Sequence, residues 1–185
     1  PWVAGVLANG KCAQDDIVMT VMLWRLDADD IAGALEIARY AMTWGLTMPT
    51  GRRPTPYLLA EEVALAAQRL LAAKQPVELA NLLDTIALTE RADMPDIVRA
   101  KLHKITGYVL RDASQLPEAL AHLQRAIQLE RTIGVKKDIE QLERQLRPKP
   151  EPAPKTKTTK PRTRKPAAKP AARRGRPPKA AKAAG

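Results

Sequence analysis

The final 39 residues of this 185-residue chain contain no valine, isoleucine, leucine, methionine or aromatic residue. Such a segment has no apolar surface whose burial could offset the conformational entropy that folding removes. It also holds nine of the chain's 16 prolines, and proline interrupts helices and strands. We therefore predict two domains, a folded body over residues 1–146 and a disordered tail over residues 147–185.

The net charge divides at the same point. The body contains 17 Lys and Arg against 19 Asp and Glu, whereas the tail contains 14 basic residues against one acidic residue, Glu151. The whole excess of +11 therefore lies in the tail. Basic residues that proline, threonine and alanine hold apart stay solvated until a polyanion arrives, so we expect the tail to bind double-stranded DNA.

Apolar residues recur at every third or fourth position through the body, which is the period of a helix. Val98, Leu102, Ile105 and Val109 are one such series, and no stretch alternates convincingly with the period of a strand. The sequence therefore predicts an all-α fold, an irregular helical bundle. We predict an opening helix around Trp2–Leu7, then helices near residues 15–26, 31–44, 58–73 and 79–89, two that start near Pro95 and Ser114, and a last one at 136–146.

Two local predictions follow from the same patterns. The stretch GRRPTPY at 51–57 is predicted to be a loop carrying Arg52 and Arg53, because two prolines favour extended geometry in their neighbours. The helix after Asp15 is predicted to present one apolar face, made of Ile17, Val18, Val21, Met22, Trp24 and Leu26.

Small residues occur where two paired helices would need to approach closely. Gly107, Ala119 and Ala126, with Leu123 between, resemble a tetratricopeptide unit, and residues 30–41 resemble its second helix again. The two stretches lie much farther apart than the roughly 34-residue period of that family. We therefore predict tetratricopeptide-like helical hairpins within the bundle, with a true solenoid as the alternative.

Reactive side chains are few. Cys12 is the only cysteine, so an internal disulfide is excluded, and neither His103 nor His122 has a second ligand at metal-binding spacing. We interpret both histidines as surface or half-buried helix residues. The acidic clusters at 15–16 and 27–30 could bind Mg²⁺ in a nuclease, but both precede predicted helices, where a carboxylate caps the free N–H groups. Capping is the simpler interpretation, and we assign no catalytic or metal-binding residue.

The end of the tail holds a more specific signal. The sequence RGRP at 174–177 resembles the AT-hook, which binds the minor groove of A·T-rich DNA. Glycine lets the backbone reach the floor of the groove while the two arginines lie along it. The rival interpretation is a generic basic tail that binds any polyanion. The predicted DNA-binding residues are Lys155, Lys157, Lys160, Arg162, Arg164, Lys165, Lys169, Arg173, Arg174, Gly175, Arg176, Pro177 and Lys179.

Long blocks of the body are similar to the terminase small subunit of temperate tailed phages of the P-two type. The resemblance runs from Trp2 to about Pro152, and members of that family also end in a basic, proline-rich tail with a hook-like RGRP. Members usually have a basic helical segment before the point where this chain begins, so we expect an upstream segment to be missing. The most specific blocks lie at residues 13–41, 45–49, 61–69, 92–112 and 134–146.

The resemblance implies a function in viral DNA packaging. A subunit of this family is expected to recognise the cohesive-end site on phage DNA, to form a homo-oligomer and to recruit the large subunit. Mg²⁺ and ATP are expected on the large subunit, with no cofactor in this chain. No apolar run is long enough for a membrane span, and we expect the host cytoplasm. The alternatives are an intrinsic Mg²⁺-dependent endonuclease and a helical adaptor or nucleoid-like DNA-binding protein.

Overall fold

The computed structural model describes residues 1–10, 13–49, 51 and 53–147. These residues form eight α-helices and no strand, which confirms the all-α prediction. The tail after Arg147 lies outside the described residues, so its predicted disorder stays a prediction. The helices are α1 (Trp2–Asn9), α2 (Asp16–Asp27), α3 (Ile31–Trp44), α4 (Thr55–Ala72), α5 (Leu79–Thr89), α6 (Asp96–Asp112), α7 (Leu116–Leu129) and α8 (Lys136–Leu146).

Local chemistry sets the ends of the first long helices. The carboxylate of Asp15 accepts hydrogen bonds from two backbone N–H groups in the first turn of α2, and Asp30 does the same for one N–H group of α3. Helix α3 ends at Gly45, which adopts a φ of 68° in the left-handed region that glycine enters without a steric penalty. With these ends, α2 and α3 form a hairpin with a short connection.

The main hydrophobic core lies among α2, α3, α4, α5 and α6. Helix α4 contacts α2, α3, α5 and α6, so it packs against helices on both sides of it in the sequence. All of these helices lie one or two places from α4 along the chain, and a stack of helical hairpins also allows such contacts. The irregular bundle and the solenoid therefore both stay open as interpretations.

A second, smaller core joins α6, α7 and α8. Within it α6 and α7 pack closely at Gly107, where an added Cβ atom would lie 2.7 Å from Cδ2 of Leu123. Ala119 and Ala126 are fully buried on the facing side of α7. The close approach that the small residues predict for this hairpin is confirmed.

The prediction of a loop over residues 51–57 is wrong for the second half of this stretch. Helix α4 begins at Thr55, and Pro56 lies in its first turn. The first N–H groups of a helix have no intrahelical partner, so proline is tolerated there. Pro54 keeps the extended geometry that the sequence predicts, with a ψ of 146°.

The apolar face predicted for α2 is also partly wrong. Ile17 and Trp24 are 58% and 64% exposed, whereas Met19, absent from that face, is fully buried. Ile17 and Trp24 are seven residues apart and therefore share one side of the helix. The helix carries two apolar stripes, which the prediction treated as a single face. Only the stripe that contains Val18 and Met22 faces the core.

Candidate nucleic-acid interface

All the predicted DNA-binding residues lie between positions 155 and 179, outside the described residues. Helix α8, the last helix that the structure describes, ends at Leu146, where the sequence predicts the last helix to end. The structure therefore bears only on the charged groups of the body.

Several arginines of the body lie next to carboxylates. The Arg39 guanidinium lies 2.6 Å from Asp84, and Arg69 lies 2.8 Å from Asp29. Further pairs join Arg25 to Asp30, Arg53 to Glu61 and Arg111 to Asp112. The positive charge of these arginines is therefore compensated within the body, in agreement with its nearly equal numbers of basic and acidic residues.

The acidic cluster before α2 caps that helix. One oxygen of Asp15 accepts hydrogen bonds from the backbone N–H groups of Ile17 and Val18, both at 2.9 Å. The other oxygen accepts from the indole N–H of Trp2 at 3.1 Å. The capping interpretation of Asp15 is confirmed, and the same contact ties α1 to the start of α2.

The second acidic cluster combines a cap with ion pairs. Asp30 accepts from the Gly33 N–H at 2.9 Å, which confirms its capping role. Asp29 has a φ of 62° and accepts from Nε of Arg69 at 3.0 Å. Arg69 also donates to the backbone carbonyl of Leu26 at 2.8 Å, so this arginine fastens α4 to the end of α2. Among the described residues no group of three or more His, Cys, Asp and Glu side chains could hold a metal ion.

The two histidines form a pair that the sequence analysis missed. Nδ1 of His103 on α6 lies 3.0 Å from Nδ1 of His122 on α7, and the ring centroids are 5.1 Å apart. A signal for this pair existed, because His103 lies one helical turn from Gly107 and His122 adjoins Leu123. The close contact of Gly107 with Leu123 places both rings in the same interface.

Burial governs the protonation of this pair. It lowers the pKa of His103 to about 4, and the nearby positive charges of His122, Arg125 and Arg99 act in the same direction. Burial also lowers the pKa of His122. Both rings are therefore neutral near pH 7, and one N–H can donate to the other ring's free nitrogen.

The similarity of the chain to known proteins identifies its family. A sequence-family model described as phage small terminase subunit matches residues 1–97. The chain is also 63% identical over 182 residues to the protein named "Terminase, endonuclease subunit" of Escherichia phage P2, covering 98% of this chain and 73% of that protein. The chain belongs to the phage small terminase subunit family. The resemblance drawn from the sequence is thereby confirmed.

Membership of this family gives the chain a terminase role. The family match covers α1 to α5 and the first residues of α6, while the similarity to the phage P2 protein also spans the tail. No solved structure matches the chain. Across the helices that the structure describes, none is both long and apolar enough to cross a membrane.

Proposed function

We propose that this terminase subunit binds double-stranded DNA at the cohesive-end packaging site and recruits the large subunit during viral DNA packaging. The family supports the terminase role, and the distribution of charge supports the binding of DNA. The observation that carries the proposal is that 14 basic residues follow position 146 with a single acidic one, whereas basic and acidic residues are nearly equal in number over residues 1–146.

The tail is the proposed DNA-binding region. Its spaced lysines and arginines contact backbone phosphates in any sequence, which supplies affinity but no discrimination between sequences. The RGRP stretch at 174–177 adds selectivity, because the narrow minor groove of A·T tracts has the more negative potential and lacks the guanine amino group. Residues 1–146 and residues 147–185 are thus two functional domains.

The large subunit is the proposed partner of the body. It supplies ATP hydrolysis and the Mg²⁺-dependent cut, and this chain contributes recognition and recruitment with no cofactor of its own. The assembly acts in the host cytoplasm as a homo-oligomer of this subunit joined to the large subunit.

A competition experiment tests the selectivity. Full-length chain is bound to labelled cohesive-end duplex and challenged with random duplex of matched A·T content, and separately with A·T-rich and G·C-rich duplexes. The variant Arg174→Ala/Arg176→Ala should lose most of its preference for A·T-rich duplex. The matched control Lys155→Ala/Lys157→Ala also removes two positive charges, but outside the RGRP stretch. It should weaken binding to all duplexes equally.

Two results would contradict the proposal. If cohesive-end duplex has no advantage over random duplex, the chain is a nucleoid-like DNA-binding protein. If the Arg174→Ala/Arg176→Ala variant loses the same affinity for every duplex, the tail is a generic basic segment.

A second candidate is an intrinsic Mg²⁺-dependent endonuclease, which the name of the phage P2 relative favours. Its acids would be those at 15–16 and 27–30, and two of them are used as helix caps. The experiment is incubation of purified chain with Mg²⁺ and cohesive-end DNA. We expect no site-specific nicking without the large subunit, and nicking that an Asp16→Asn/Asp27→Asn variant abolishes would establish the endonuclease instead.

A further inference from the structure

A groove of about 600 Å³ lies between α4 and α6 on the surface of the body. Part of its lining is apolar, and this part includes Leu65 and Leu71 of α4, Ile105 of α6 and Ile133 in the connection before α8. Leu65 is 37% exposed, so a bulky apolar side chain remains in water at this place. Apolar grooves of this size on a helical body are a usual feature of surfaces that take a partner segment.

Basic side chains stand along the α6 side of the groove. Lys101, Lys104 and Arg111 all line it together with Tyr108. Their spacing of three, four and three residues puts the four side chains on one face of α6. The groove therefore has an apolar floor beside a row of three cations, and one carboxylate, that of Asp112, also lines it next to Arg111.

Contacts within the body fix part of this row. Nζ of Lys104 donates to the backbone carbonyl of Ile133 at 2.9 Å and lies 5.9 Å from the centre of the Tyr108 ring. The Arg111 guanidinium lies 4.9 Å from the same ring. The hydroxyl of Tyr108 in turn donates to Asp138 of α8 at 3.1 Å. These contacts hold the row in place before any partner arrives.

Only part of the charge is compensated. Arg111 donates to Asp112 at 3.1 Å and lies 3.8 Å from Asp138. The carbonyl that Lys104 contacts is uncharged. Lys101 is exposed and forms no ion pair with any other residue of the described part of the chain. Two lysine charges therefore border the apolar floor without a carboxylate of their own.

We infer that this groove docks an acidic segment of a partner protein that carries one or two bulky apolar side chains. The apolar side chains would cover exposed Leu65 and half-buried Leu71, and the carboxylates would pair with Lys101 and Lys104. Charge complementarity selects the occupant: the chain's own tail, with 14 basic residues and one acidic residue, would be repelled. A DNA backbone would satisfy the lysines and leave the apolar floor in water, which disfavours nucleic acid.

The inference rests on the proposed function, because the partner that supplies the segment is then the terminase large subunit. It adds the place of contact and the chemistry of the contacting segment. Gln68 lines the groove as well and is exposed, so a reporter at this position can reach an occupant.

The experiment uses full-length chain and the purified large subunit. A photo-cross-linking benzoylphenylalanine replaces Gln68, with the same change at exposed Gln145 of α8 as control, and the cross-linked peptide is identified by mass spectrometry. The dissociation constant is measured for Lys101→Glu, for Leu65→Ser and for the control Lys137→Glu on α8. Binding of each variant to cohesive-end duplex is measured in parallel.

We expect cross-links from position 68 to an acidic segment of the large subunit, and none from position 145 to that segment. Lys101→Glu should weaken the complex about tenfold or more and Leu65→Ser roughly five- to tenfold, while Lys137→Glu stays within about twofold. Affinity for DNA should stay within about twofold in all three.

Other outcomes overturn the inference. If the unaltered chain binds the large subunit and the groove variants bind it equally well, the groove is not the docking site, although the proposed function stands. Cross-links to DNA or to a second copy of the chain would assign the groove to that occupant instead. If the unaltered chain forms no complex with the large subunit, both the inference and the proposed recruitment fail.

Discussion

In the body, arginines lie beside carboxylates, as Arg39 does beside Asp84 and Arg69 beside Asp29. In the tail, the same residue type follows position 146 with Glu151 as the single acidic residue. Arg39 and Arg69 therefore fasten elements of the body to one another, whereas the tail has far too few acidic residues to neutralise its basic ones, and we propose that these bind DNA. The comparison teaches that the number of basic residues predicts little until their carboxylate neighbours are known.

The largest expected effect on DNA affinity comes from removing the tail. A chain that ends at residue 146 should lose DNA affinity by on the order of a thousandfold at about 100 mM salt, because the phosphate contacts are lost. Fluorescence anisotropy with a labelled cohesive-end duplex measures the loss. Thermal unfolding is the control, and it should show the same transition with and without the tail. Equal DNA affinity in the two chains would contradict the assignment of DNA binding to the tail.

The body's dependence on close packing can be tested at one glycine. Gly107→Ala should lower the free energy of unfolding by about 1–3 kcal/mol, because the new methyl group would lie 2.7 Å from Leu123. The matched control is Gly5→Ala in α1, where nothing beyond the nearby backbone of α1 itself lies within 4 Å of the added group. That change should leave stability equal or raise it by up to about 1 kcal/mol.

Urea unfolding measures both glycine variants. DNA affinity at native conditions should not change in either of them, since the tail is untouched. A Gly107→Ala protein as stable as the parent would show that α6 and α7 are farther apart than in the structure.

The histidine pair predicts a pH dependence of stability. An unfolded histidine has a pKa of about 6.5, whereas the pKa of folded His103 is about 4. The unfolded chain binds more protons in this window, so stability is full above about pH 6.5 and falls as the pH drops toward 4. After allowance for partial exposure, we expect a loss of about 1–2 kcal/mol from the pair.

The measurement is urea unfolding at several pH values between 7 and 4. The double variant His103→Gln/His122→Gln removes both titrating groups and reports the contribution of all carboxylates. We expect the parent's curve to be steeper than that of the variant. Two parallel curves would contradict neutral, buried rings.

The smallest expected effect concerns a paired arginine of the body. Arg39→Gln breaks the exposed ion pair with Asp84 and should lower stability by about 0.2–1 kcal/mol. DNA affinity should stay within about twofold, in contrast to the loss of two tail arginines. A large loss of DNA affinity from this change would show that paired arginines of the body also contact DNA.

Much of the fold could be predicted from the sequence. The bounds predicted for α5 and α8 agree with the structure, and Val98, Leu102, Ile105 and Val109 are buried on α6 as predicted. These successes come from signals that act locally, such as the helical period and the residues at helix ends. The loop predicted for Thr55–Tyr57 was wrong, because proline is compatible with the first turn of a helix.

What sequence reasoning missed depends on packing between distant elements. The sequence of α2 by itself does not indicate that Ile17 and Trp24 face away from the core while Met19 faces it. The contact of His103 with His122 likewise requires the register of α6 against α7. The predicted DNA-binding residues remain a prediction, because all of them lie after the residues that the structure describes.

The most direct test of the division between body and tail is a nuclear magnetic resonance titration. Backbone amide shifts of the full-length chain are recorded as cohesive-end duplex is added, in the absence of the large subunit. We expect the large shift changes in residues 147–185 and only small ones in residues 1–146. Shift changes concentrated on the helices of the body, with the tail's signals unmoved, would contradict the account.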